Sequence, residues 1–92
     1  MWFLYILECS NGSFYTGVTD NVEKRIAKHN SGKGAYYTKL RSPVRFLYQE
    51  SHRSKTEALL REQQIKRWSK SKKLALIKSD KQLLIELSKS RD

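Results

Sequence analysis

Cysteine is nearly absent from this 92-residue chain, where Cys9 stands alone. One thiol cannot close an intrachain disulfide. With only His29 and His52 beside it, the chain also lacks the four Cys or His ligands of a structural zinc site. A reducing environment is therefore expected. Long apolar runs are missing as well. The longest, Trp2 to Leu7, is far too short to cross a membrane, and it lacks the basic start and cleavage region of a signal peptide. No membrane partner and a cytoplasmic location are the expectations. Acidic residues are scarce, 9 Asp and Glu against 19 Lys and Arg, for a net charge of +10. Such an excess repels copies of the protein and attracts polyanions. Nucleic acid is the commonest partner of a small basic domain, and charge alone leaves DNA and RNA equally open. The chain has no internal repeat, no zinc finger or helix-turn-helix to read base sequence, and no Gly-Lys-Ser/Thr order of a Walker loop.

What is present suits one small domain. Trp2 to Leu7, continuous and apolar, reads as a buried strand. Ser10-Asn11-Gly12 is a turn signal, and Phe14 to Val18 is the returning strand. A two-residue turn would put Tyr5 and Tyr15 on opposite faces, because strand side chains alternate. A three-residue turn with Gly12 in the left-handed position pairs Tyr5 with Gly17 and Leu7 with Tyr15, so both tyrosines share a face. The second register is expected. Asp20 and Glu23 form a capping-box-like pair for a helix to about His29, with Val22 and Ile26 as its apolar stripe and Asn30 to Gly34 as its end. After a polar, basic connection from Tyr36 to Ser42, Pro43 opens a third strand in which Val44, Phe46 and Tyr48 alternate with Arg45 and Gln49. A long helix starts at Ser54 or Thr56 and runs to about Trp68. A short one covers about Lys72 to Lys78, and Asp80 caps a last one over Gln82 to Leu87. Residues 1–80 form the expected domain, with 81–92 a helical extension and frayed tail. The class is α+β: a three-stranded antiparallel sheet flanked by helices.

Some residues sit oddly for structure alone. On a helical wheel Ala58, Leu59 and Ile65 make the apolar face of the long helix, and Glu62 falls near its centre. A carboxylate there costs several kcal/mol unless paired or metal-bound. A structural salt bridge is the plain reading, and a metal ligand or catalytic acid the functional one. Arg25 and His29, four apart, stack on one side of the first helix. Arg can hold a phosphate through two bonds and His can donate or take a proton; an amphipathic helix with a snorkelling Arg would look the same. Tyr5 and Tyr15 are individually ordinary strand residues. Gly17 within a strand marks a bulge or the close approach of another backbone. The segment His29 to Lys39 mixes Gly, Lys and Tyr, able to wrap a phosphate backbone and stack a base, or to be a solvated loop. Lys33, Tyr37, Lys39, Arg41 and Lys66 are the candidate nucleic-acid contacts.

Together these residues resemble the GIY-YIG nuclease family. Its first motif appears as Phe3-Leu4-Tyr5 and its second as Tyr15-Thr16-Gly17, with Phe for Gly and Thr for Ile. Arg25 follows Tyr15 by ten residues and His29 by four more, and Ala58 to Lys66 is similar to the family's Ala…Glu-x-x-Ile-Lys helix. Asn30-Ser31-Gly32-Lys33-Gly34 followed by Tyr37-Thr38 resembles the short, stand-alone bacterial subgroup, the UPF0213 type. A late Asn that assists the site in some members has no clear counterpart. The resemblance spans roughly residues 2–78. It implies a DNA phosphodiester hydrolase using one divalent ion, Mg2+ or Mn2+, on Glu62. It implies that Tyr15, supported by Tyr5, orients or deprotonates the attacking water, that Arg25 stabilises charge on the phosphate, and that His29 donates to phosphate or shuttles a proton. Cutting directed by DNA structure rather than sequence, in repair or processing, is the expectation, with a protein partner able to supply targeting. A non-cutting DNA-binding module and a basic protein that meets RNA or a protein partner remain alternatives.

Overall fold

The structure, a computed structural model, describes residues 1–31 and 41–78. Strand β1 (Trp2–Glu8) lies between β2 (Phe14–Thr19) and β3 (Arg45–His52), and both pairings are antiparallel. The central position explains the unbroken apolar run: Leu4, Tyr5, Ile6 and Leu7 are all buried, two toward each face. The hairpin turn follows the expected form. Gly12 has φ +84°, its N–H donates to the Cys9 carbonyl at 2.9 Å, and the Cys9 N–H donates to Ser13 at 2.8 Å. Asn11 Oδ1 accepts from the Ser13 N–H and hydroxyl. The resulting register pairs Tyr5 with Gly17 and Leu7 with Tyr15, which sets both tyrosines on one face.

Helix α1 (Val22–Asn30) begins one residue later than the sequence suggested. Asn21, not Asp20, is its cap, accepting from the Lys24 N–H at 3.0 Å. The Thr19 hydroxyl accepts the Asn21 N–H and donates to the Asn21 carbonyl, and that tight turn carries the chain past Asp20 before helical geometry starts. At the other end Asn30 behaves as a strand partner: its amide donates to the Val44 carbonyl and its Oδ1 accepts the Val44 N–H at 2.7 Å. That pair ties the end of α1 to the approach to β3. The expected loop residues 32–40 lie outside the described residues.

Strand β3 starts at Arg45, after a cis Ser42–Pro43 peptide and the buried Val44. Its expected alternation fails. A bulge between Ile6 and Leu7 pairs Ile6 with Tyr48 but Leu7 with Phe46, leaving Leu47 as the extra residue. Phe46 therefore shares the Tyr5 face with Gln49 and stays 44% exposed, while Leu47 and Tyr48 join the opposite face.

Helices α2 (Lys55–Lys66) and α3 (Lys70–Ile77) cover that opposite face, capped by Ser54 and Ser69. There Leu4, Ile6 and Ile65 form a buried cluster, with Trp68, Leu76 and Ile77 against it. Each such side chain stabilises the fold by about 1.5–3 kcal/mol. On the other face Tyr5, Leu7, Cys9 and Val44 pack with Ile26 of α1. The wheel placed Leu59 on the buried side of α2, but only Ala58 and Ile65 are fully covered and Leu59 is 38% exposed. The arc that meets the sheet is narrower than the apolar composition: Ala58 and Ile65 are covered, while Leu59 and Leu60 stay exposed. The short third helix begins at Lys70, two residues earlier than expected, and the segment proposed for Gln82 to Leu87 lies outside the described residues.

Candidate active site

Three rings meet on the α1 face of the sheet. Tyr5 and Tyr15 project from neighbouring strands, and His29 comes down from the last turn of α1. Their ring centroids are 6.3 Å apart for the tyrosines, 6.1 Å for Tyr5 and His29, and 5.2 Å for Tyr15 and His29. The Tyr5 hydroxyl lies 3.1 Å from His29 Nε2. Tyr5 is 1% exposed and His29 0%, whereas Tyr15 and Arg25 are half-buried. Four of the five predicted residues thus form layers, with Tyr5 and His29 behind and Tyr15 and Arg25 within reach of solvent, while Glu62 stands on α2.

Gly17 makes the layering possible. A Cβ there would stand 2.5 Å from the Tyr5 hydroxyl oxygen and 2.6 Å from its Cζ, so the phenol occupies the space a side chain would fill. The sequence suggested a bulge or a backbone approach at Gly17. The β1–β2 ladder is regular, and what approaches is the tyrosine opposite.

Electrostatics join the remaining two residues to the cluster. Burial pushes the Tyr5 hydroxyl above its ordinary range, with Tyr15 adding to the shift. The charge of Arg25 and its hydrogen bond pull the other way. Burial also raises Tyr15, and the Glu62 carboxylate adds to it, while Arg25 again opposes. Glu62 is therefore near enough for both phenols to feel its charge. Burial lowers His29, with Arg25 and Lys28 adding to the shift, so the imidazole is neutral at neutral pH. In the tautomer protonated on Nδ1, Tyr5 donates to Nε2.

The Glu62 side chain is 18% exposed and lies on the same side of α2 as Ala58 and Ile65. Its ion pair is with Lys66 at 3.6 Å, one turn on, whose side chain is 54% exposed. No group of three or more His, Cys, Asp or Glu that would hold a metal lies among the described residues. The donor on offer among the described residues is one hard carboxylate, whose oxygen chemistry fits Mg2+ or Mn2+, ions that keep several of their waters.

Of the predicted nucleic-acid contacts, Lys33, Tyr37 and Lys39 lie outside the described residues. The Arg41 carbonyl accepts from the Ser10 N–H at 2.8 Å, which braces the hairpin turn. Lys66 stands beside Glu62. Two features were not anticipated. Lys24 and Lys28 line a cavity together with Arg25; their spacing of four was the available signal. Glu50 collects the Tyr48 hydroxyl at 2.6 Å, His52 Nε2 at 2.7 Å and Arg61 Nε at 3.0 Å. Burial would raise its carboxyl, but those three hydrogen bonds hold it below the usual range. That network fastens β3 to α2, and only the pairing of distant residues reveals it.

The chain is similar to known proteins. The family described as "GIY-YIG catalytic domain" matches residues 1–75. A UPF0213 protein of Staphylococcus saprophyticus is 55% identical over 75 residues, 82% of this chain and 92% of its own. One from Staphylococcus aureus is 54% identical over 76 residues, 83% of this chain and 93% of its own. The solution structure of the UPF0213 protein BH0048 from Bacillus halodurans matches with a TM-score of 0.54 at 47% identity, covering 85% of this chain and 84% of that one. The protein EF2693 from E. faecalis matches with a TM-score of 0.58 at 37% identity, covering 84% and 82%.

Proposed function

The chain belongs to the GIY-YIG family, and from that premise we propose that it is a metal-dependent endonuclease that hydrolyses DNA phosphodiester bonds. The observation that carries the reading is Glu62: a largely buried carboxylate on the sheet-facing side of α2, its charge felt by both site tyrosines. One Mg2+ or Mn2+ ion on Glu62 would supply positive charge at the phosphate and at the attacking water. The chain's own residues do the rest. Arg25, half-buried and permanently charged, stabilises negative charge growing on the scissile phosphate. Tyr15 is the accessible phenol and orients the water. A phenol pushed above its ordinary range is a poor isolated base. A relay eases the difficulty, since even an imidazole held below its ordinary range is a better base than a phenol: the water's proton passes to Tyr15 as the Tyr15 proton passes along its hydrogen bond to Tyr5 and the Tyr5 proton to His29 Nε2, 3.1 Å away. Both phenols stay neutral and the imidazole takes the charge. The fully buried His29 thus serves as proton acceptor and as the group that positions Tyr5.

Cutting directed by DNA structure, in repair or processing, completes the proposal. The lone Cys9 and the absence of a membrane-crossing helix among the described residues suit work in the cytoplasm. The test is cleavage of labelled duplex, single-stranded, flap and four-way-junction DNA at low salt with Mg2+, Mn2+ or EDTA. Wild type should cut with metal only. Glu62→Ala should lose at least about a thousandfold in rate, the scale of losing a principal charge-stabilising group, while its DNA binding persists or strengthens. Full cleavage by Glu62→Ala would overturn the reading. Binding without cutting on every substrate would leave a binding module of the same fold.

A further inference from the structure

Beside α1 is an open cavity of about 200 Å³, lined by Thr19, Asp20, Asn21, Lys24, Arg25 and Lys28. We propose that it holds the backbone phosphates next to the scissile one, so that α1 tracks a single nucleic-acid strand away from the catalytic centre. The inference rests on the nuclease reading of the adjoining site and extends it to the flank of the substrate.

Helix geometry carries the argument. At 3.6 residues per turn, Lys28 lies about 40° round the axis from Lys24, Arg25 about 100° and His29 about 140°. The surface of α1 therefore passes without a break from two open lysines, through the arginine, to the buried histidine of the ring cluster. Lys24 and Lys28 are separated by about 6 Å along the helix, the scale of one extended nucleotide. A strand with one phosphate on Arg25 has its next phosphates over these lysines. Glu23 is turned away: it lines the separate groove with Val22, Ile26 and Phe46. Among the described residues Asp20 is the one carboxylate lining the cavity, against three cations, and it limits the track on that side.

Both lysines are exposed, and neither forms an ion pair among the described residues. That sets them apart from cations already committed elsewhere. Arg45 pairs with Glu8, Arg61 with Glu50 and Lys66 with Glu62, while Lys55 and Lys70 sit over the rings of Trp2 and Phe14. The cavity floor is set before any ligand arrives, because the Thr19–Asn21 turn and the Asn21 cap fix the start of α1. Fixed walls carrying two lysines with no ion pair among the described residues suit an anion that repeats along a chain.

The test is fluorescence anisotropy with a labelled single-stranded oligonucleotide in EDTA across salt concentrations, so the readout stands whether or not the wild type cuts. Lys24→Ala/Lys28→Ala is compared with Arg53→Ala/Arg67→Ala, which removes the same charge outside α1. Two lost phosphate contacts should flatten the log–log salt slope by about 1.4. The affinity gap between wild type and the α1 variant should then shrink about sevenfold between 50 and 200 mM salt. At 50 mM the α1 variant should bind about tenfold or more weakly. Circular dichroism should show both variants folded. An unchanged slope, an equal loss in the control, or a wild type that does not bind at low salt would each overturn the proposal.

Discussion

Gly17→Ala is the smallest change that tests the packing of the site. The added methyl would meet the Tyr5 hydroxyl oxygen at 2.5 Å and Cζ at 2.6 Å. The phenol would have to retreat by roughly 0.9 Å to reach the 3.4 Å of ordinary contact. It has little freedom to do so, being 1% exposed and hydrogen-bonded to His29. Overpacking of this kind costs about 1–3 kcal/mol, and a strained or lost Tyr5–His29 bond adds about 0.5–1.5 kcal/mol. A loss of about 2–4 kcal/mol is expected, a large part of the stability of a domain this size. Melting temperature should fall by roughly 10–25 °C. A displacement near 1 Å would also disrupt the proposed relay, and on that proposal about a hundredfold loss of cleavage is expected. The comparison is Gly12→Ala, where nothing lies within 4 Å and only the φ of +84° resists a side chain. That variant should lose about 1 kcal/mol and keep its cleavage rate. Urea unfolding and the cleavage assay on both variants supply the check. If Gly17→Ala is as stable as wild type, or less damaging than Gly12→Ala, the claim that Tyr5 fills the space over Gly17 is wrong.

Two other predictions follow from single buried groups. Thr16 is 3% exposed and its hydroxyl has no hydrogen-bond partner among the described residues. Thr16→Val keeps the shape and removes the stranded hydroxyl, so urea midpoints should rise by the equivalent of about 1 kcal/mol; a drop of that size would reveal a partner for the hydroxyl. His29 gives a pH signature, since its folded imidazole is held below the ordinary 6.5 by burial first and then by Arg25 and Lys28. The unfolded chain takes up a proton near pH 6.5 that the folded chain refuses. This contribution to stability is therefore complete above 6.5 and is lost as pH falls toward the lower folded value. Unfolding free energy measured from pH 8 to 5.5 should decline below 6.5, and a rise over that interval would refute a neutral buried imidazole.

Local rules carried much of this molecule. Reading the Asn11-Gly12 turn as three residues long set the hairpin register, and strand alternation then put Tyr5 and Tyr15 on one face, so two of the three rings were readable from local rules. Glu62 announced itself in the same way, as a carboxylate at a helical position whose neighbours Ala58 and Ile65 are buried. The family resemblance, carried by spaced motifs, named the remaining site residues. Long-range competition decided what was not readable. The β3 bulge moves Phe46 and Tyr48 to opposite faces, and it arises from pairing against β1, which no period within β3 encodes. Leu59 looked apolar enough to be buried, yet α2 meets the sheet through Ala58 and leaves Leu59 outside. Gly17 marked itself as special, but the group above it is a side chain 12 positions earlier, brought there by the ladder. The sequence by itself determined the charge and the hairpin and nominated the candidate site side chains, because charge and turn depend on composition and on neighbours a few residues apart and the candidates on spaced motifs. The tertiary structure alone decided which phenol is buried, that burial holds the imidazole below its ordinary range and, among the described residues, which lysines form no ion pair, because burial and pairing are properties of surfaces that meet only when the chain has folded.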